Sequence, residues 1–250
     1  ANTGGIALEF GNDEAVIACL RLIGDREGLG DLLADGSRIA AQKVGQGSEA
    51  WAMHVKGLEM PGYEPRSLQT LALALAVSTR GACHNRASAY EADLSDRVDR
   101  LQASRERGKI TAEGEDFSAV LDSLIWCKFL RKAFHDFYGE SADIYENLTG
   151  WSMSSEQLRQ AGERINNMKK LFNVREGWTR ADDTLPRRVL QEALPDGVAA
   201  GASISANDLD MMVSAYYEAR GWTADGNIPD AKLAELGLDV LGEHTSPTEV

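Results

Sequence analysis

The chain has 250 residues, 43% hydrophobic, 7% aromatic and 26% charged, with 26 Lys and Arg against 39 Asp and Glu for a net charge of −13. That length supports one or two domains with a sizeable core, and the apolar fraction excludes wholesale disorder. The acidity argues against nucleic acid, and the most apolar run, Leu71 to Val77, is too short to cross a bilayer.

No signal peptide is visible. The chain starts Ala-Asn-Thr-Gly-Gly without an initiator Met, as expected of a processed product or a piece of something longer. Cys19, Cys83 and Cys127 are far apart and form no C-x-x-C, which points to a reducing compartment, the cytoplasm, rather than to a disulfide framework. An iron–sulfur cluster usually takes four thiolates, so this chain alone is not expected to hold one.

In chain order, Asn12 is expected to cap a helix running to about Arg26, with Gly28 as its stop. Ser37 caps a short helix ending at Gly45. Ala52 to Leu58 is the best strand candidate, kept short by Gly57. Ser67 to Thr79 reads as a helix apolar on all sides and therefore deeply buried, stopped at Gly81. Asp93 to Arg105 reads as a polar, exposed helix. Thr111 opens a long helical pattern through Phe117, Val120, Leu121, Leu124, Phe129 and Phe134. Ser154 and Gln157 form a capping box ahead of an amphipathic stripe, Leu158, Ala161, Ile165, Met168 and Phe172. A second box, Ser205 with Asp208, precedes Leu209, Met212, Val213 and Tyr216, and Pro229 starts a helix before Leu233 and Leu236. The tail from Gly242 is polar and expected to fray. The fold class is all-α: multihelical, in two closely packed helical lobes, residues 1–140 and 141–250.

Four stretches carry more unusual residues than packing requires. The first, Met53 to Arg66, has two prolines and two glycines and otherwise reads as a structured connector. The second, Ser78 to Arg86, sets Cys83, His84, Arg80 and Arg86 just beyond an apolar helix. His84 suits proton transfer or a satisfied structural role, and the arginines suit phosphate. The third, Asp122 to Lys128, contains Cys127, either a small core hydrophobe on a helix or a thiol activated by Lys128. The fourth, Phe172 to Arg188, holds four arginines and three acids, which otherwise make a surface ion-pair network.

Taken together and in this order, the motifs resemble the C-terminal part of the tungsten-containing aldehyde ferredoxin oxidoreductase family. They are Ala52-Met53-His54-Val55-Lys56-Gly57-Leu58-Glu59, Arg80-Gly81-Ala82-Cys83-His84, Asp122 with Cys127 in a D-x-x-x-x-C frame, Asn173-Val174-Arg175-Glu176-Gly177, and Asp182-Asp183-Thr184-Leu185-Pro186. Arg220-Gly221-Trp222 and Lys232 to Leu238 are similar to the family's last segment, so the likeness runs from Phe10 to about Leu238.

The resemblance implies a helical cover over a tungsten bis-pterin cofactor of molybdopterin type, whose β-rich N-terminal base domain is not in this sequence. It implies oxidation of a small aldehyde to a carboxylic acid, with electrons passing through a [4Fe–4S] cluster to ferredoxin. By residue, it implies His84 as the catalytic proton-transfer or substrate-orienting group, Arg86 and Asp122 as pterin contacts, and Cys127 as one cluster thiolate. Arg80 and Arg86 are expected to stand without counter-ions where pterin phosphates are missing. Ile125-Trp126 departs from the motif's Gly-Leu, and the C-x-x-C-x-x-x-C group for the other thiolates is absent. The isolated chain is thus expected to be inactive and to hold neither group. Two alternatives are a cofactor-free helical scaffold and part of a related tungsten reductase with another substrate.

Overall fold

The computed structural model describes residues 3–239, so the tail from Gly242 lies outside the described residues. The elements are α1 (Asp13–Asp25), α2 (Leu29–Leu33), α3 (Gly36–Val44), β1 (His54–Val55), β2 (Leu58–Glu59), α4 (Gln69–Val77), α5 (Tyr90–Asp93), α6 (Glu106–Ser123), α7 (Phe137–Thr149), α8 (Ser155–Arg175), α9 (Arg187–Gln191), α10 (Ala206–Arg220) and α11 (Asp230–Glu235). Among the described residues the chain is all-α apart from a two-stranded antiparallel hairpin that pairs His54 with Glu59 and Val55 with Leu58. Among the described residues no helix is long and apolar enough to cross a membrane.

Caps fix several helix starts. Asn12 accepts from the Ala15 amide, and Ser154 with Gln157 and Ser205 with Asp208 close reciprocal capping boxes. The expected cap at Ser37 falls two residues late, because α3 starts at Gly36 with Asp35 before it. The Ser37 amide instead donates to Glu59 Oε1 at 2.8 Å, tying α3 to the hairpin.

Every residue of α4 is buried, as its apolarity on all sides requires. It packs with Leu185, Leu209, Met212, Val213, Tyr216 and Trp222 in the larger core cluster. A second cluster joins Val120 and Leu121 of α6 to Phe137, Tyr138, Ala142 and Leu158. The helix α7 runs across position 140. Two helix contacts need glycine for lack of room: a Cβ on Gly108 of α6 would lie 2.4 Å from the Ala215 backbone, and one on Gly162 of α8 would lie 2.5 Å from the Asp116 carbonyl oxygen.

Two sequence expectations are corrected here. Residues 93–105 are not a helix. Asp93 is buried and accepts from the Thr70 and Leu71 amides at 3.0 and 2.9 Å, so it caps the start of α4, while Arg107 pairs with it at 2.9 Å. The carbonyls that a helix would consume are occupied elsewhere: Gln69 binds those of Arg100 and Leu101, and Arg107 those of Asp99 and Gln102.

In α8 the apolar stripe is buried only at its start, where Leu158 joins the second core cluster. Met168 and Phe172 are 46% and 54% exposed, whereas Asn166, Asn167, Lys170 and Asn173 are buried. Each buried polar group has its partner. Asn166 donates to Asp116 at 2.8 Å, Asn167 accepts from Trp222 Nε1 at 2.7 Å, Lys170 meets Asp183 at 3.4 Å, and Asn173 donates to the Thr79 carbonyl at 2.8 Å. Satisfied polar groups can be buried at little net penalty, so the close approach at Gly162 decides the orientation.

Candidate functional site

The loop that carries His84 and Arg86 is built from its anchors. Lys56, at the tip of the hairpin, buries its ammonium against the Ala76 and Ser78 carbonyls at 2.6 and 3.0 Å and against Asp183 at 2.6 Å. A cation on the last carbonyls of α4 suits the negative end of that helix. Burial pulls the Lys56 ammonium below its ordinary pKa, and Asp183 opposes that shift. Gly81 then turns with φ +95, and a Cβ there would lie 2.4 Å from the Val55 carbonyl oxygen, so the loop lies directly on the hairpin.

His84 emerges half-buried from this loop. Its ring centroid lies 5.2 Å from Tyr63 and 6.2 Å from Tyr90, and the two tyrosines stack at 5.1 Å. Burial first, and then the charge of Lys128, holds the imidazole below its ordinary pKa, so it is neutral at neutral pH. The Tyr90 hydroxyl accepts from Arg131 Nη2 at 3.4 Å, and Arg131 also pairs with Glu91. Tyr63 stood in the first of the quoted stretches, but neither tyrosine had a spacing signal that set it beside His84. Only the fold joins the loop after β2, the loop after α4 and α5.

Asp122 sits in the last turn of α6. The helix ends with Ile125 in the left-handed region at φ 60, the Ile125 amide bonding the Asp122 carbonyl at 3.2 Å and the Trp126 amide bonding that of Leu121 at 3.0 Å. This is the paired 5→2 and 6→1 closure in which the left-handed residue is usually glycine. The departure from Gly-Leu noted in the sequence therefore changes the residue and leaves a glycine-type turn. Trp126 packs edge-on to Phe134 at 5.3 Å in the cluster that holds Leu121, and its Nε1 is buried without a hydrogen-bond partner among the described residues.

Cys127 is a free, exposed thiol in extended conformation just past this turn; it is on a loop and not, as one reading of the sequence had it, a core residue on a helix. Cys83 is also free and is buried. The next residue, Lys128, donates to the Asn85 carbonyl, between His84 and Arg86. Arg86 Nη1 meets Asp122 Oδ2 at 2.7 Å, which corrects the expectation that Arg86 lacks a counter-ion. Lys169 of α8 adds positive charge near Arg86 and Asp122; burial lowers its pKa and Arg86 lowers it further. The structure thus brings Arg86 and Asp122 into contact and ties the Cys127 segment to the His84 segment through Lys128.

The fourth stretch is largely structural. Asp183 is buried among Lys56, Lys170 and the Tyr217 hydroxyl, while Arg180 reaches Asp210 at 2.5 Å. Arg175 and Glu176 are exposed and pair with each other at 3.2 Å.

A family model described as "Aldehyde ferredoxin oxidoreductase, domains 2 & 3" matches residues 1–238. The chain is 36% identical over 237 residues to the tungsten-containing aldehyde ferredoxin oxidoreductase of Pyrococcus furiosus, covering 92% of this chain and 37% of that protein. It is 30% identical over 246 residues to the aliphatic sulfonate oxidoreductase, WOR-like subunit, of the same organism, covering 94% of this chain and 36% of that one. Among solved structures, the active-site complex BamBC of benzoyl coenzyme A reductase with 1,5-dienoyl-CoA superposes with a TM-score of 0.67. That match has 20% identity and covers 97% of this chain and 41% of that one, a likeness of fold. The chain spans little more than a third of the length of the curated relatives it matches.

Proposed function

The chain belongs to the aldehyde ferredoxin oxidoreductase family, and from that premise we propose that it supplies the helical, cofactor-covering C-terminal part of an enzyme that oxidises aldehydes to carboxylic acids. The observation that carries this reading is the stitching of the Arg86–Asp122 pair and the Lys128–Asn85 contact, which gathers His84, Arg86, Asp122 and Cys127 onto adjoining segments.

The residues present fit part of the implied cofactor set. The left-handed turn at Ile125 keeps the backbone form of a glycine motif, the buried Trp126 Nε1 is an unused donor beside it, and Cys127 is an accessible thiol. One thiol is a quarter of what a cubane cluster takes, so the remaining thiolates come from elsewhere in the complete protein. When bound, a tungsten–pterin centre and its cluster supply two-electron oxidation and one-electron relay to ferredoxin.

In this reading the chain's own work is positional. His84, packed against Tyr63 and Tyr90, would accept one of the two protons released when an aldehyde hydrate becomes a carboxylic acid; the second would leave to solvent, and the two electrons would be taken by the bound redox centre. Arg86 and Asp122 offer charge-assisted donors and acceptors to the pterin, and Cys127 provides a thiolate.

The test is aldehyde-dependent ferredoxin reduction by the complete protein, with metal analysis of two variants. His84→Ala is expected to lower kcat by roughly 10²–10⁴-fold with metal content near normal. Cys127→Ala is expected to lose iron and electron transfer while leaving tungsten bound. Unchanged rates in both variants would remove the assignment and favour a scaffold role.

A further inference from the structure

We infer that the open cleft bounded by α5, α6, α7, α8 and the turn after Cys127 binds a small organic carboxylate with an apolar body, a site that does not rest on the redox reading above. The cleft encloses roughly 720 Å³, and four cations reach it: Arg97, Arg131, Lys132 and Arg159.

Its three carboxylates are already engaged. Glu91 pairs with Arg131, Glu113 with Arg97 at 3.5 Å, and Asp116 with Arg220 at 2.6 Å and Asn166 at 2.8 Å. That leaves Lys132 and Arg159, neither of which has a carboxylate within ion-pair distance among the described residues. The Arg159 guanidinium lies 3.9 Å over the Tyr138 ring, which holds it in place without neutralising it.

Uncommitted positive charge in a concavity runs against the net charge of −13, and it draws anions there. Burial pushes the Tyr138 hydroxyl up to about 12, so it remains a donor at neutral pH. The rest of the lining selects the class of anion. Phe117, Ile110 and the alanines of 87–92 present an apolar wall, which a bare phosphate does not use. A planar guanidinium fork and an ammonium lining one cleft suit a carboxylate. Arg131 touches both this cleft and the Tyr90 hydroxyl, so an occupied site lies a short chain of contacts from His84.

The experiment is calorimetric titration of the full 250-residue chain with sodium benzoate, benzamide and inorganic phosphate at matched ionic strength. Benzoate is expected to bind saturably at one site, with benzamide and phosphate each at least about tenfold weaker. Arg159→Gln and Lys132→Gln are each expected to weaken benzoate by about tenfold, the loss of one charge-assisted hydrogen bond. Arg97→Gln, whose charge Glu113 already holds, should change it by less than about threefold. Arg159→Lys keeps the charge and should retain part of the affinity, and thermal melts confirm that each variant folds. Absent benzoate saturation, equal binding of phosphate or benzamide, or unchanged affinity in both the Arg159→Gln and Lys132→Gln variants would overturn the site.

Discussion

Arg86 Nη1 lies 2.7 Å from Asp122 Oδ2 and so ties the loop after α4 to the last turn of α6. Both side chains remain about a third exposed, at 33% and 37%, so solvent screens the pair. A contact of this kind stabilises a fold by less than about 1 kcal/mol. A double-mutant cycle with Arg86→Gln and Asp122→Asn, read by urea unfolding, is therefore expected to give a coupling below that bound. A coupling of several kcal/mol would make the pair a fold determinant and weaken its assignment as cofactor contacts.

Ile125 holds a left-handed backbone at φ 60 with its side chain 90% exposed, so it pays conformational strain with almost no packing in return. For a β-branched residue that strain is about 1–2 kcal/mol, offset in a glycine replacement by about 0.5–1 kcal/mol of unfolded-chain entropy. Ile125→Gly is expected to stabilise the chain by about 0.5–1 kcal/mol in the urea midpoint. A loss of stability would show that the Ile125 side chain makes contacts that matter.

The sequence made the capping boxes and the buried α4 legible, because caps and apolar periodicity act over a few residues; the single strand expected over Ala52 to Leu58 is instead a hairpin that turns at Lys56 and Gly57. The family was legible too, through the ordered motifs. What failed to show was long-range. Asp93 looks like an exposed helical acid until α4 arrives to be capped by it, and α8 looks amphipathic until Gly162 brings its polar face against α6. The Tyr63–His84–Tyr90 cluster had no local pattern at all, since three separate segments meet there. Ile125 is the instructive case: its residue type argued against a glycine turn, and the surrounding fold imposed one.

Asp183 is buried between Lys56 and Lys170 and also accepts from the Tyr217 hydroxyl. Removing the carboxylate leaves two buried ammonium groups facing each other, a loss of about 3–5 kcal/mol. Asp183→Asn is expected to lower the unfolding free energy by that order, and Asp183→Asn with Lys56→Met by less than the sum of the two single changes. Additive losses in denaturant unfolding would mean that the two groups act independently.

The pH dependence follows from the same reasoning about burial. The folded His84 imidazole is held below its ordinary value of 6.5, by burial first and by Lys128 second. His54 is shifted in the same direction, by burial and then Arg38. In the unfolded chain these groups take up a proton near 6.5, while in the folded chain they do so only at lower pH, so acid favours the unfolded state. The contribution to stability is full above about pH 6.5 and is lost as pH falls from there through the folded values. Urea midpoints measured from about pH 7.5 to about pH 5 should fall with acidification, ahead of the range where most carboxylates titrate. His84→Gln keeps a polar side chain in the Tyr63 niche and removes the titration, so its profile should be flatter over that window. Parallel profiles for the two proteins would show that His84 has no depressed pKa in the folded chain.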